Sequence, residues 1–198
     1  PGVFNTAHAL TVLLEQETPG LILQTGIAGV FKDSGLGIGD VAVADQIQYV
    51  HTGVVDAGVE KTPLPFDLIR DMSSTRQGNY GIDKTLCQRC FENLAGAFPN
   101  MPVKVSRGKI ITVSAITATP AYAAQIFNIG NPVMEAMEGA AAAHVAALYN
   151  IPFIEVRAAS NEVGQRDKSQ WDIPVAAGRI PHICEAISRT LAAQTQKA

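Results

Sequence analysis

Charge is scarce in this sequence and nowhere clustered. Asp, Glu, Lys and Arg make up only 17% of the 198 residues, and the 15 basic residues stand apart from one another. A net charge of −3 without a basic run lacks the electrostatic footprint that a nucleic-acid partner requires. Long apolar runs are missing too: no stretch reaches the roughly 18–20 residues of a membrane span. The first residues lack the charged, apolar and small-residue layout of a secretion signal, so the composition is that expected of a soluble, cytoplasmic protein. Cysteine is sparse and odd in number (Cys87, Cys90, Cys184), which fits reduced thiols and not a disulfide framework. His8, His51, His144 and His182 show no metal-ligand spacing, and nothing in the sequence calls for a metal or another cofactor.

What is present is apolar residue in quantity, 47% of the chain, enough for the core of one α/β domain over 1–198. Periodicity and breakers predict helices at residues 5–16, 84–97, 120–127, 139–149 and 175–194. Strands are predicted at 21–23, running into Thr25-Gly26-Ile27-Ala28-Gly29, and at 40–50, 109–114, 133–137 and 153–158. Residues 54–81, with Pro63, Pro65 and several Gly, Asp and Ser, are expected to form an irregular surface excursion. Alternating strands and helices predict a three-layer α/β/α fold around a central, mainly parallel or mixed sheet, with a ligand site at the strand ends.

The informative block is Met137-Glu138-Gly139-Ala140-Ala141 together with Glu155-Val156-Arg157-Ala158-Ala159-Ser160-Asn161, each at the end of a predicted strand. Supporting stretches are Thr25 to Gly29, Ile38-Gly39-Asp40-Val41-Ala42-Val43-Ala44 and Pro63-Leu64-Pro65-Phe66-Asp67-Leu68. In order and spacing these resemble the superfamily of nucleoside phosphorylases and methylthioadenosine/adenosylhomocysteine nucleosidases. The continuation Asn161-Glu162-Val163-Gly164-Gln165-Arg166-Asp167 with Trp171 is similar to its futalosine hydrolase branch. The resemblance runs from Gly2 to the C-terminal helix. It implies a nucleoside phosphorylase-like fold, hydrolysis of a purine nucleoside (futalosine to hypoxanthine, in menaquinone biosynthesis), no cofactor, and a homodimer or larger homo-oligomer.

Residue by residue, the resemblance implies that Glu138 accepts from both hydroxyls of a ribose diol, with Met137 against the sugar. The competing account of Glu138 is a charge at the start of a helix, complementing its dipole. Asn161 would choose the base: its amide NH₂ donates to O6 of a 6-oxopurine while its carbonyl accepts from N7–H. Otherwise it is an Asx-turn or cap residue, with Ser160 beside it. Arg157 either holds the attacking water or is a core-flanking arginine paired with Glu155 or Asp167. Ala115, Ile116 and Thr117 are candidates for the base's floor and edge or are ordinary packing, and Ile27, Ala28 and Gly29 border the substrate. Ile27 stands where relatives often carry a polar residue, which favours water over phosphate as acceptor. A purine nucleoside phosphorylase, an adenine-type nucleosidase and a nucleoside-binding module without turnover remain the alternatives.

Relatives open with strands that supply an acidic residue ahead of a glycine-rich turn. This sequence opens inside that turn, at Pro1-Gly2-Val3-Phe4-Asn5, so the resemblance implies an N-terminally incomplete copy without the expected general base. Two other signals carry less. Gly35-Leu36-Gly37-Ile38-Gly39 precedes a strand and is expected to be a turn, and Cys87-Gln88-Arg89-Cys90 has redox spacing but falls inside a helix. His51, near Tyr49, is expected to border the site or a subunit contact.

Overall fold

The computed structural model describes residues 1–55 and 61–195. Helix α1 (Val3–Leu14) precedes strand β1 (Ile22–Val30), a 3-10 turn at Lys32–Ser34 and β2 (Val41–Tyr49). A second 3-10 turn (Ser73–Gln77) and the short β3 (Asn79–Gly81) lead to α2 (Lys84–Ala95) and β4 (Val105–Thr112). Then come α3 (Pro120–Gly130), β5 (Met134–Ala136), α4 (Gly139–Leu148), β6 (Phe153–Glu162), a 3-10 turn at Lys168–Gln170 and α5 (Ile173–Thr195). Short polar side chains start three of the helices. The carboxylate of Asp83 accepts from Leu86 N–H at 2.7 Å, and that of Asp172 accepts from Val175 N–H at 2.9 Å. The Thr119 hydroxyl accepts from Tyr122 N–H at 3.3 Å, with Pro120 preset for the first turn.

The strands form one mixed sheet in the order β3-β2-β4-β5-β1-β6. β1 runs parallel to β6, and β2 and β5 run parallel to β4, whereas β5 is antiparallel to β1 and β3 to β2. The start of β2 also pairs antiparallel with β6 (Val41 with Ala158, Val43 with Val156), which closes five strands into a ring. Ring closure and helices on both sides explain why residues 41–44 and 153–160 are buried at every position and not alternately. The Ala-rich α4 lies across the sheet and carries α1, while α2 and α5 pack on each other and on the strands. Small side chains let α4 sit close, and seven of its residues are buried. No helix among the described residues is long and apolar enough to cross a membrane.

Three elements differ from expectation, each through strand pairing. β1 is nine residues long and includes Thr25 to Gly29, because its backbone pairs with β6 along the whole length. β6 continues past Ala158 through a bulge at Ser160, so Asn161 lies on the strand and not in a following loop. β4 starts at Val105, where it meets Val41 of β2. Within the expected excursion, β3 pairs with the end of β2, and residues 56–60 lie outside the described residues. The Gly35–Gly39 stretch is a turn, closed by Gly37 N–H donating to Asp40 Oδ2 at 2.8 Å.

Candidate active site

β1 and β6 end side by side, the short β5 lies antiparallel against the end of β1, and the segment after β4 folds back over them. A hollow of about 210 Å³ opens at this rim. Ile27, Ala28 and Gly29 line it from β1, Ile116 and Thr117 from the segment after β4, Met137 and Glu138 from the end of β5, and Asn161 from β6. Ala115 is exposed and, like Arg157, is not among the lining residues. Larger depressions exist, one of about 540 Å³ at the opposite ends of β1 and β6 beside Leu21, Tyr80 and Phe153. Two of its polar side chains are already engaged, Asp83 with Leu86 and Tyr80 with His144.

Behind the rim runs a buried chain of charge. Arg157 is 3% exposed, and its Nε donates to Glu155 Oε1 at 2.8 Å; Glu155 is wholly buried. Nη2 of the same arginine stands 3.1 Å from Glu138 Oε2, a close charge contact without hydrogen-bond alignment. The pairing of Arg157 with Glu155 is therefore present, while Asp167 is engaged with Ser169 instead. Burial pushes the Glu155 carboxyl up, Arg157 pulls it down, and Glu138 adds a smaller upward push. Glu138 sits at the N-cap position of α4 without capping it; the Thr112 hydroxyl accepts from Ala140 N–H at 2.9 Å and does that work. Its carboxylate accepts from Met137 N–H at 3.3 Å and Gly2 N–H at 3.4 Å and turns to the hollow.

Two glycines make room for this buried pair. A Cβ at Gly26 would stand 2.8 Å from Arg157 Nη1, and one at Gly139 would stand 2.1 Å from Glu155 Oε2. Glu155 is enclosed and cannot swing away. Gly139→Ala is therefore expected to destabilise the protein by about 1–3 kcal/mol through overpacking. At this chain length that lowers Tm by about 2–12 °C, and an unchanged melting curve would contradict the packing.

Asn161 is half-buried next to the β6 bulge. Its Nδ2 donates to Glu162 O at 3.0 Å, so it forms no helix cap. The single Ser160 hydroxyl proton has two acceptors in reach, Asn161 Oδ1 at 2.8 Å and Ala28 O at 3.2 Å. Thr117 is 2% exposed and faces an acid that the sequence reasoning passed over, Glu135 in the middle of β5. A carboxylate inside an otherwise apolar strand was the available signal. Arg166 and Trp171 also line the hollow, with the guanidinium 5.3 Å from the indole centre and Trp171 Nε1 donating to Gln165 O at 3.0 Å. A second small core of Phe31, Ile111, Val113, Ala123 and Val163 packs under the rim, with Met137 against it.

The remaining polar candidates lie elsewhere. His51 is not a lining residue; its Nδ1 accepts from Ser114 N–H at 3.1 Å, and burial followed by the charge of Lys61 lowers its pKa. His144 bonds the Tyr80 hydroxyl at 2.9 Å within the core. Cys87 and Cys90 are free and buried on α2, and burial raises the Cys90 thiol to about 11, which suppresses thiolate chemistry.

The rim thus offers a carboxylate, a carboxamide and apolar walls, a set able to accept from a diol and to pair with the edge of a flat polar ring. The chain is 32% identical over 168 residues to a futalosine hydrolase of Acidothermus cellulolyticus, covering 84% of this chain. It spans 64% of that protein's length, short of two thirds. Among solved structures it is similar to the Neisseria meningitidis 5′-methylthioadenosine/S-adenosylhomocysteine nucleosidase in complex with methylthio-immucillin-A. That match has a TM-score of 0.78 at 20% identity and covers 96% of this chain and 78% of that one. It is also similar to the Streptococcus pyogenes S-adenosylhomocysteine nucleosidase in complex with 5-methylthiotubericidin (TM-score 0.74, 26% identity, 96% and 76% covered). Residues 2–190 match the Phosphorylase superfamily, and with the sheet and rim described above the chain belongs to that superfamily.

Proposed function

We propose that the protein hydrolyses the N-glycosidic bond of a 6-oxopurine nucleoside, with futalosine as substrate and hypoxanthine as leaving base, in the cytoplasm and as a homo-oligomer. One observation carries this: Glu138 and Asn161, on different strands' ends, share one small hollow. Glu138 accepts from the 2′- and 3′-hydroxyls, and Met137 packs on the sugar. Asn161 donates through Nδ2 to O6 and accepts through Oδ1 from N7–H, its amide oriented by the Ser160 hydroxyl. The bond between C1′ and N9 breaks with its electron pair going to the base, which gains a proton at N7; water supplies the hydroxyl at C1′. Arg157, beneath the rim, holds Glu138 from behind through its charge. Orientation of sugar, base and water supplies the rate gain. The likeness to a futalosine hydrolase supports the choice of substrate.

The test is base release from futalosine, inosine and methylthioadenosine, followed by ultraviolet absorbance with and without phosphate. Hypoxanthine released from futalosine without phosphate is the expected result. Release only with phosphate, yielding ribose 1-phosphate, would assign phosphorolysis, the reaction for which the superfamily is named. Fastest cleavage of methylthioadenosine would assign an adenine nucleosidase. Asn161→Asp removes the NH₂ that meets O6 and is expected to lower kcat/KM for 6-oxopurine nucleosides about 10- to 100-fold. Methylthioadenosine should be spared; equal losses on both bases count against Asn161 as the base-reading group.

A further inference from the structure

We propose that Glu135 is a positioning residue that fixes the Ile116–Thr117 wall of the hollow and so sets how tightly the nucleoside is held; this rests on the nucleosidase reading. Glu135 is 7% exposed, in the middle of β5, yet both of its oxygens are spent on one residue. Oε1 accepts from Thr117 N–H at 3.1 Å and Oε2 from the Thr117 hydroxyl at 2.5 Å. Between Ser114 and Pro120, Thr117 is the sole buried residue, and Ile116 beside it is 47% exposed. The segment that carries Ile116 into the hollow is therefore fastened to the sheet through Thr117, and Thr117 through Glu135.

The residue type follows from this geometry. An amide N–H and a hydroxyl arriving together need two acceptors side by side, which a carboxylate presents. Asparagine or a shorter acid would not reach, while glutamine keeps both ties: its carbonyl accepts from the amide and its NH₂ donates to the hydroxyl oxygen. Burial pushes the Glu135 carboxyl up, against the two Thr117 hydrogen bonds and the charge of Arg166. Glu135 lines the hollow as Glu138 does, but both of its oxygens are held by Thr117, one by the main-chain N–H and one by the hydroxyl, so it serves the wall.

Trp171 is the single tryptophan and lines the hollow, so its fluorescence, read in stopped flow before turnover, reports nucleoside binding. For Glu135→Ala, inosine Kd and KM are expected to rise about 10- to 100-fold, the loss of hydrogen bonds to a charged group, with kcat within about threefold. Thr117→Val should move Kd in the same direction, the double variant should be no worse than Glu135→Ala, and Glu135→Gln should restore binding to within about threefold. Wild-type Kd in Glu135→Ala, a loss confined to kcat, or glutamine failing as badly as alanine would overturn the assignment. Should Glu135→Ala not fold, Thr117→Val decides: a weakened Kd upholds the tie and an unchanged Kd refutes it. Lack of base release by the wild-type protein would instead overturn the nucleosidase reading, with the fluorescence titration still judging Glu135.

Discussion

Glu138→Gln is expected to lower kcat/KM about 30- to 1000-fold, and by the same factor for futalosine, inosine and methylthioadenosine. On the proposed reading the carboxylate accepts from two ribose hydroxyls. Glutamine retains one acceptor and presents an NH₂ where the second hydroxyl donates, so about 2–4 kcal/mol of transition-state binding is removed. The sugar is common to all three substrates, which is why the factor should not depend on the base. The same change also strips Arg157 of one of its two carboxylate neighbours. Circular dichroism and melting curves separate that structural effect from catalysis. A loss confined to one base would show that Glu138 does not grip the sugar.

Arg157→Met is expected to cost about 3–5 kcal/mol of stability, the usual result of leaving one member of a buried ion pair alone. For a chain of this size Tm should fall by about 6–20 °C. Glu155, fully buried, would be left without the guanidinium that offsets its burial. The sign of the pH dependence follows from its raised carboxyl. Stability from a raised acid is present below the ordinary glutamate range and is lost as pH rises through the folded-state value. Removing Arg157 raises that value further, so the variant's deficit should be larger at neutral pH than at mildly acidic pH. Melting both proteins from pH 4 to 8 checks this, and a deficit independent of pH would contradict it. Replacing Glu155 and Arg157 together by methionine should recover much of the loss, because no charge is then stranded.

Element types were legible because their signals are local. The apolar face of α2 (Leu86, Cys87, Cys90, Leu94), the Asp83 cap and the alanine run of α4 act within a few residues of one another. The rim residues were legible for a different reason: Met137-Glu138 and Arg157 to Asn161 lie in short, chemically distinctive strings, and eight of the ten candidate positions line the hollow. Ala115 fell outside because it precedes the one residue by which its segment is fastened, and Arg157 because it is drawn beneath the rim. Glu135 escaped notice since its partner Thr117 is 18 positions away, across the whole of α3.

Residue type and near-neighbour spacing thus sufficed for the helices and most of the strands, and for placing Met137-Glu138 and Asn161 near strand ends. Long-range packing was needed to close the sheet on itself through β2 and β6, to turn Arg157 inward to Glu155 and Glu138, and to bring Thr117 against Glu135. Apart from Arg157 with Glu155, two positions apart on β6, these are contacts between distant segments, and they exist because ring closure brings those segments together and because Gly26 and Gly139 leave space that a single methyl group would fill.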